Sequence, residues 1–206
     1  MKLCALLFTA LAAVAVGPAH ALSAPTLLGV PDQDQGLRGT ARYDRGIYTA
    51  FCPRRAPRAL TASTSHAGWP AKECLKMDKG PEGRRHTIVG LNGVHNWLLG
   101  GYGDDTIIGG DHGDVIWGDY HPGGQTRAQT ATIRAGDGRN VIYANDTHNY
   151  VWTGGNPYTV VHAYAAGIGG VIHCQSPGIV VYLSRTSQRH FKLDGCRRIS
   201  HFSVGY

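Results

Sequence analysis

Gly100 to Ile108 reads GGYGDDTII, and Gly109 to Trp117 reads GGDHGDVIW. Aligned, the two stretches place small residues first, an aspartate sixth (Asp105, Asp114) and an isoleucine eighth (Ile107, Ile116). The same phase runs outward. Leu91 to Leu99 has Asn96 sixth and Leu98 eighth, Ala135 to Tyr143 has Asn140 and Ile142, and Ala144 to Trp152 has Asn149 and Val151. Thr126 to Arg134 keeps Ile133 in the eighth slot and Thr153 to Val161 keeps Val160. The phase breaks once, at Gly118–Gln125, which reads GDYHPGGQ. Units this short cannot bury their own apolar side chains, so they must stack on one another.

Each slot has a physical reading. Residues around the eighth slot form a short strand with that side chain turned inward. The glycines supply the positive φ and the close backbone approach of a tight turn. The turn exposes carbonyl oxygens, and the sixth-slot aspartate adds a carboxylate. Charge sharpens the point. The chain carries a net charge of +6, yet Gly100 to Gln125 holds Asp104, Asp105, Asp111, Asp114 and Asp119 and no Lys or Arg. Such a stretch needs a counter-charge, and stacked turns offer the hard oxygen ligands that suit Ca²⁺.

GGYGDDTII fits the hemolysin-type (RTX) pattern G-G-x-G-x-D-x-U-x in every slot, and GGDHGDVIW departs from it only at His112. The middle of the chain therefore resembles the calcium-binding RTX repeat proteins. That resemblance implies an all-β fold: a right-handed parallel β-roll, or β-solenoid, with two strands per coil. Calcium would lie between turns on the same edge, which come from alternate units. On that geometry the turn at 91–96 faces 109–114, and the turn at 100–105 faces Gly118-Asp119. The implied ligands are Asp105 and Asp114 first, then Asp111, Asp119 and Asp104, with the carbonyls of Gly101, Gly103 and Gly110. Asn96, Asn140 and Asn149 have a plainer alternative, since a sixth-slot Asn can hydrogen-bond its own turn with no metal. Asp137 and Asp146 are turn formers on the same reasoning.

The flanks divide the rest. Met1-Lys2, an apolar run from Leu3 to Val16 and Ala19-His20-Ala21 form a secretory leader over 1–21. Residues 22–85 are an irregular N-terminal segment containing Cys52 and Cys74, 86–173 the repeat solenoid, and 174–206 a C-terminal cap bounded by Cys174 and Cys196. Exported chains with an even cysteine count form disulfides. Three pairings are open. Cys52–Cys74 and Cys174–Cys196 are favoured because each closes a local loop, and the absence of a C-x-x-C pair argues against zinc. The leader departs from the usual RTX layout. It brings the chain nearer to the small exported RTX-like proteins of actinobacteria, which also end in a cysteine-bounded segment.

Other constellations are weaker. The histidines at 86, 95, 112, 121, 148, 162, 173, 190 and 201 show no H-E-x-x-H spacing and read as surface or turn residues. Ninth-slot Leu99, Trp117, Tyr143 and Val161 should share an outward face if the interruption is looped out, with Arg134 on the other face. Such a row is either a carbohydrate platform or, in the favoured reading, covered by residues 22–85. The basic tail (Arg185, Arg189, Lys192, Arg197, Arg198) follows a strand at 179–183. It fits an end cap, or a surface for anionic wall polymers. No G-x-S-x-G or P-loop appears, so catalysis is not expected. A small polysaccharide-modifying β-helix, using Arg127, Arg134 or Arg139, is the enzymatic alternative. The expected partners are calcium ions outside the cell and, as a second reading, cell-wall or extracellular polysaccharide. Neither nucleic acid nor stable membrane insertion is expected.

Overall fold

The computed structural model describes residues 42–50, 52, 73–79, 84–120, 129–145, 148–164 and 168–201. The leader at 1–21, Asp146, Arg127 and most of the 22–85 segment lie outside the described residues.

An antiparallel pair, β1 (Arg42–Asp44) and β2 (Ile47–Ala50), leads into β3 (Cys74–Asp78), which is antiparallel to β2. From β3 onward every described pairing is parallel. The strands β4 (Arg85–Val89), β6 (Asp104–Ile108), β8 (Thr130–Arg134), β10 (His148–Trp152), β12 (Gly170–His173) and β14 (Phe191–Asp194) form a six-stranded sheet. β5 (Asn96–Leu99), β7 (Val115–Trp117), β9 (Val141–Ala144), β11 (Val160–Ala163), β13 (Val180–Tyr182) and β15 (Arg198–Ser200) join β1–β3 in a nine-stranded sheet. The chain passes from one sheet to the other at each turn, which makes a parallel β-solenoid. The parallel ladder runs from Cys74 to Ser200 and so extends past 86–173 on both sides.

The eighth-slot residues fill the space between the sheets. Leu98, Ile107, Ile116, Ile133, Ile142 and Val151 are fully buried in one cluster. Stacking in register lets each β-branched side chain pack on its copy one coil away, as in the pairs Ile107↔Ile133 and Ile116↔Ile142. One assignment needs correction. Val161, not Val160, is the buried residue of β11. The turn over 153–159 is one residue longer than the turn over 109–114, and a one-residue slip exchanges the faces of a strand. The outward place expected for Val161 therefore passes to His162.

The outer face of the nine-stranded sheet carries a second apolar cluster: Leu75, Met77, Trp97, Leu99, Val115, Tyr120, Val141 and Tyr143, with Tyr48 and Trp117 against it. Leu99, Trp117 and Tyr143 do share this face, and Leu99 and Tyr143 are buried on it. The rings of Trp117, Tyr143, His162 and Tyr182 stack in sequence, with centroids 4.1, 4.8 and 5.3 Å apart. Arg134 lies on the other sheet, over the Trp152 ring.

Two disulfides, Cys52–Cys74 and Cys174–Cys196, tie the N-terminal segment to β3 and the turn after β12 to the turn after β14. Among the described residues no helix is long and apolar enough to cross a membrane.

Candidate metal centre

The turns form two long edges, and the two edges cohere differently. On the edge built from 90–95, 109–114, 135–140 and 153–159, side chains bridge coil to coil. The Asn96 backbone N–H and the Asn96 side-chain amide both donate to Asp114 Oδ1, each at 2.8 Å. Gly110 N–H donates to Asp114 Oδ2 at 2.7 Å. The Asp114 N–H donates to Asn140 Oδ1 at 2.9 Å, and the Asn140 N–H to Thr159 Oγ1 at 3.2 Å. Asn96 and Asn140 also donate to carbonyls of their own turns. Burial pushes the Asp114 carboxyl up to about 6, and the surrounding N–H groups pull against that rise. Both Asp114 oxygens are engaged, so this edge holds together through amides.

Asp111 belongs to the same edge but is exposed. Its Oδ1 accepts from Gly93 N–H at 2.6 Å, on the neighbouring coil, and lies 2.9 Å from His112 Nδ1. The Gly93 bond, followed by His112, holds this carboxyl below its usual range.

The other edge includes Asp78 and Lys79, residues 100–103, 118–120 and Gln129. It gathers Asp78, Asp105 and Asp119, which are 5%, 2% and 3% exposed. Asp105 Oδ2 accepts from Gly101 N–H at 2.8 Å. Asp105 Oδ1 is enclosed and receives no hydrogen bond. Burial first, then the charge of Asp78, a hydrogen bond shared with the Asp78 carboxyl and more weakly the charge of Asp119 push the Asp105 carboxyl up to about 8, against the pull of the Gly101 N–H. The room for these groups comes from glycine. A Cβ at Gly101 would lie 2.6 Å from the Asp78 carbonyl oxygen. Gly103 has φ +112°, and a Cβ there would meet the Arg84 carbonyl at 1.9 Å.

The sequence-derived ligand set therefore splits between the two edges. Asp105 and Asp119 come together with Asp78. Asp114 and Asp111 lie on the opposite edge, where protein donors hold them. Asp104 sits beside Asp105 but points its carboxylate elsewhere: Oδ1 accepts from Thr130 N–H at 3.0 Å, and Oδ2 lies 3.9 Å from Arg85. Gly101, Gly103 and Gly110 use their N–H groups, bonding Asp105, Gln129 and Asp114 respectively. The facing of alternate turns holds as well. Asn96 meets Asp114, and Tyr120 N–H donates to Gly100 O at 2.7 Å.

Sequence reasoning missed Asp78 and read His86 only as a surface or turn histidine. Both precede the repeat phase, and their only signal is register: His86 and Asp105 are paired across β4 and β6.

The donor chemistry of the Asp78–Asp105–Asp119 edge fits a hard cation. Two buried carboxylates meet, a third, Asp119, adds its charge, and one enclosed oxygen meets no N–H donor, which is costly without a counter-charge or a shared proton. The amide-bridged edge shows no comparable deficit at Asp114.

Residues 92–119 and 130–159 match the family model for the RTX calcium-binding nonapeptide repeat, four copies. No curated protein and no solved structure matches the chain. The centre of this chain is thus an array of RTX nonapeptide repeats, a calcium-binding motif, wound as a parallel β-roll.

Proposed function

We propose that this is an exported protein whose β-roll is ordered by calcium outside the cell, and that the ion sits on the edge formed by Asp78, Asp105 and Asp119. The observation that carries this reading is the enclosed Asp105 Oδ1, with no donor, among three buried carboxylates. Calcium would supply the missing positive charge and draw the oxygens of successive coils together. The chain supplies the rest. Gly101 N–H orients Asp105, and the glycines at 101 and 103 let the coils approach. Asp104 keeps Thr130 in register. Asp111 and Asp114 serve the opposite edge by hydrogen bonding. The leader-like sequence at 1–21 and the two disulfides support an oxidising, extracellular setting. There, millimolar calcium suffices for sites as weak as about 10⁻⁴–10⁻³ M.

Thermal unfolding of the oxidised protein in millimolar Ca²⁺ and in chelator tests the reading. Calcium in about tenfold excess over Kd adds about 1.4 kcal/mol, or roughly 3–6 °C in Tm for a domain of this size. The rise should vanish in Asp105→Asn/Asp119→Asn and survive in Asp111→Asn. An unmoved Tm in the unmutated protein rejects the proposal.

A further inference from the structure

The edge that carries Asp78 and Asp105 also holds a histidine that oxygen-only calcium chemistry does not explain. Asp78 ends β3 and His86 is the second residue of β4, so both lie outside the matched repeats. Both lie on the same edge, and the β4–β6 register sets His86 beside Asp105. His86 Nδ1 is 2.7 Å from Asp78 Oδ2. One ligand atom from each of Asp78, His86 and Asp105 lies within 4.8 Å of the other two. The Asp78 side chain is fully enclosed, that of His86 is 11% exposed, and Asp105 is 2% exposed.

A hydrogen-bonded His–Asp pair alone would account for His86 and Asp78. It does not account for the third member. Gly101 N–H occupies Asp105 Oδ2, and the enclosed Oδ1 meets no N–H donor; with the carboxyls ionised, only a proton shared with Asp78 or a cation can join the two acids and the imidazole beside them. Ca²⁺ selects oxygen ligands, whereas a neutral imidazole nitrogen is a ligand for zinc and its first-row neighbours. One imidazole with two carboxylates is a three-ligand set of the kind that leaves a fourth position for water. Bond lengths of about 2.0–2.2 Å place tetrahedral ligand atoms roughly 3.3 Å apart, so Asp105 would draw in while the 2.7 Å His86–Asp78 pair opens slightly.

We propose that Asp78, His86 and Asp105 form a site for a divalent transition cation of the zinc class, on the same edge as the calcium turns but outside their nonapeptide spacing. It shares Asp78 and Asp105 with the calcium reading, on which it rests for the placing of a cation at this edge, needs His86, and does not need Asp119. The two cations compete for this end of the edge, so the first coil reports which of them is present.

The test titrates the chelator-treated, oxidised full chain with Co²⁺, read by its visible d–d bands, followed by displacement with Zn²⁺. One equivalent should bind, with bands typical of low coordination number. His86→Asn can keep the hydrogen bond to Asp78 while removing the ring ligand. It should weaken Co²⁺ binding at least about tenfold and leave the Ca²⁺-induced rise in Tm intact. Asp119→Asn should do the reverse, and His112→Asn should change neither. Should His86→Asn fail to fold, ring-nitrogen NMR of the unmutated protein decides, since Zn²⁺ must shift the His86 resonances before those of the other histidines. Co²⁺ binding unaltered in His86→Asn, unmoved His86 resonances, or no Co²⁺ binding at all overturns the proposal. A Tm unmoved by Ca²⁺ sinks the calcium reading alone and leaves the Co²⁺ result to decide this one.

Discussion

Asp114 receives two hydrogen bonds from Asn96 on the neighbouring coil, each 2.8 Å long and both on the same carboxylate oxygen. The bridge is buried, since both residues are 0% exposed. Replacing Asp114 by Ala would strand the N–H groups of Asn96 and Gly110 inside the roll. The expected loss is about 2–4 kcal/mol. It should be the same in calcium and in chelator, by urea unfolding under both conditions. A loss confined to calcium-containing buffer would place the ion on this edge instead.

Asp105 should behave in the opposite way. Its carboxyl is buried against Asp78 and without a cation must either take up a proton or bear the repulsion, so Asp105→Asn removes that cost. In chelator the variant should melt at or above the temperature of the unmutated protein, and in millimolar calcium below it. This crossing of the two melting curves is the quantity to measure.

Glycine substitutions separate strain from collision. Gly93 has φ +74° and nothing within 4 Å of an added Cβ, so Gly93→Ala should cost only the left-handed backbone penalty, about 1 kcal/mol. Gly103→Ala adds a 1.9 Å clash with the Arg84 carbonyl. Because Asp104 N–H donates to that same carbonyl, the β4–β6 junction must part. Gly103→Ala should abolish the calcium-induced rise in Tm along with the lost stability, whereas Gly93→Ala should keep it.

His162 makes the roll sensitive to acid. Burial between the Tyr143 and Tyr182 rings lowers its pKa from 6.5 to about 4. Below pH 6.5 the unfolded chain takes up a proton that the folded chain refuses, so stability falls as pH drops from about 6.5 toward 4. His162→Phe keeps a ring in the stack and removes this proton. Between pH 7.5 and 5 the unmutated protein should lose more stability than the variant, and parallel losses would reject the assignment.

Core packing gives a further check. Ile116 is fully buried between Leu98 and Ile142 in the coil stack. Ile116→Val should cost about 1 kcal/mol and Ile116→Ala about 3 kcal/mol. Both should be visible as shifts of the urea midpoint with little change in slope.

The period of nine was enough to locate the coil interior, because an inward strand position has no other use than burial; Ile107, Ile116, Ile133 and Ile142 follow from it directly. The resemblance to the RTX pattern, rather than the period itself, placed alternate turns face to face. The period failed where a turn changed length, at 153–159, because face parity depends on every residue before it. Ligand identity was less legible. Asp104, Asp105, Asp111 and Asp114 are chemically equal in the sequence, and only the neighbouring coil decides which oxygen already has a donor. Asp78 and His86 lie before the first recognisable unit, so no motif marks them, and the strand register alone brings them to Asp105.

The two edges also differ mechanically. One is stitched by amides that no change of ionic conditions can undo, while the other carries clustered charge whose tension depends on the cations around it. A roll built this way is lopsided under stress. Chelation should let it splay along its charged side while the amide side acts as a spine, so that loosening begins between coils on one flank and the sheets part like the pages of a bound volume.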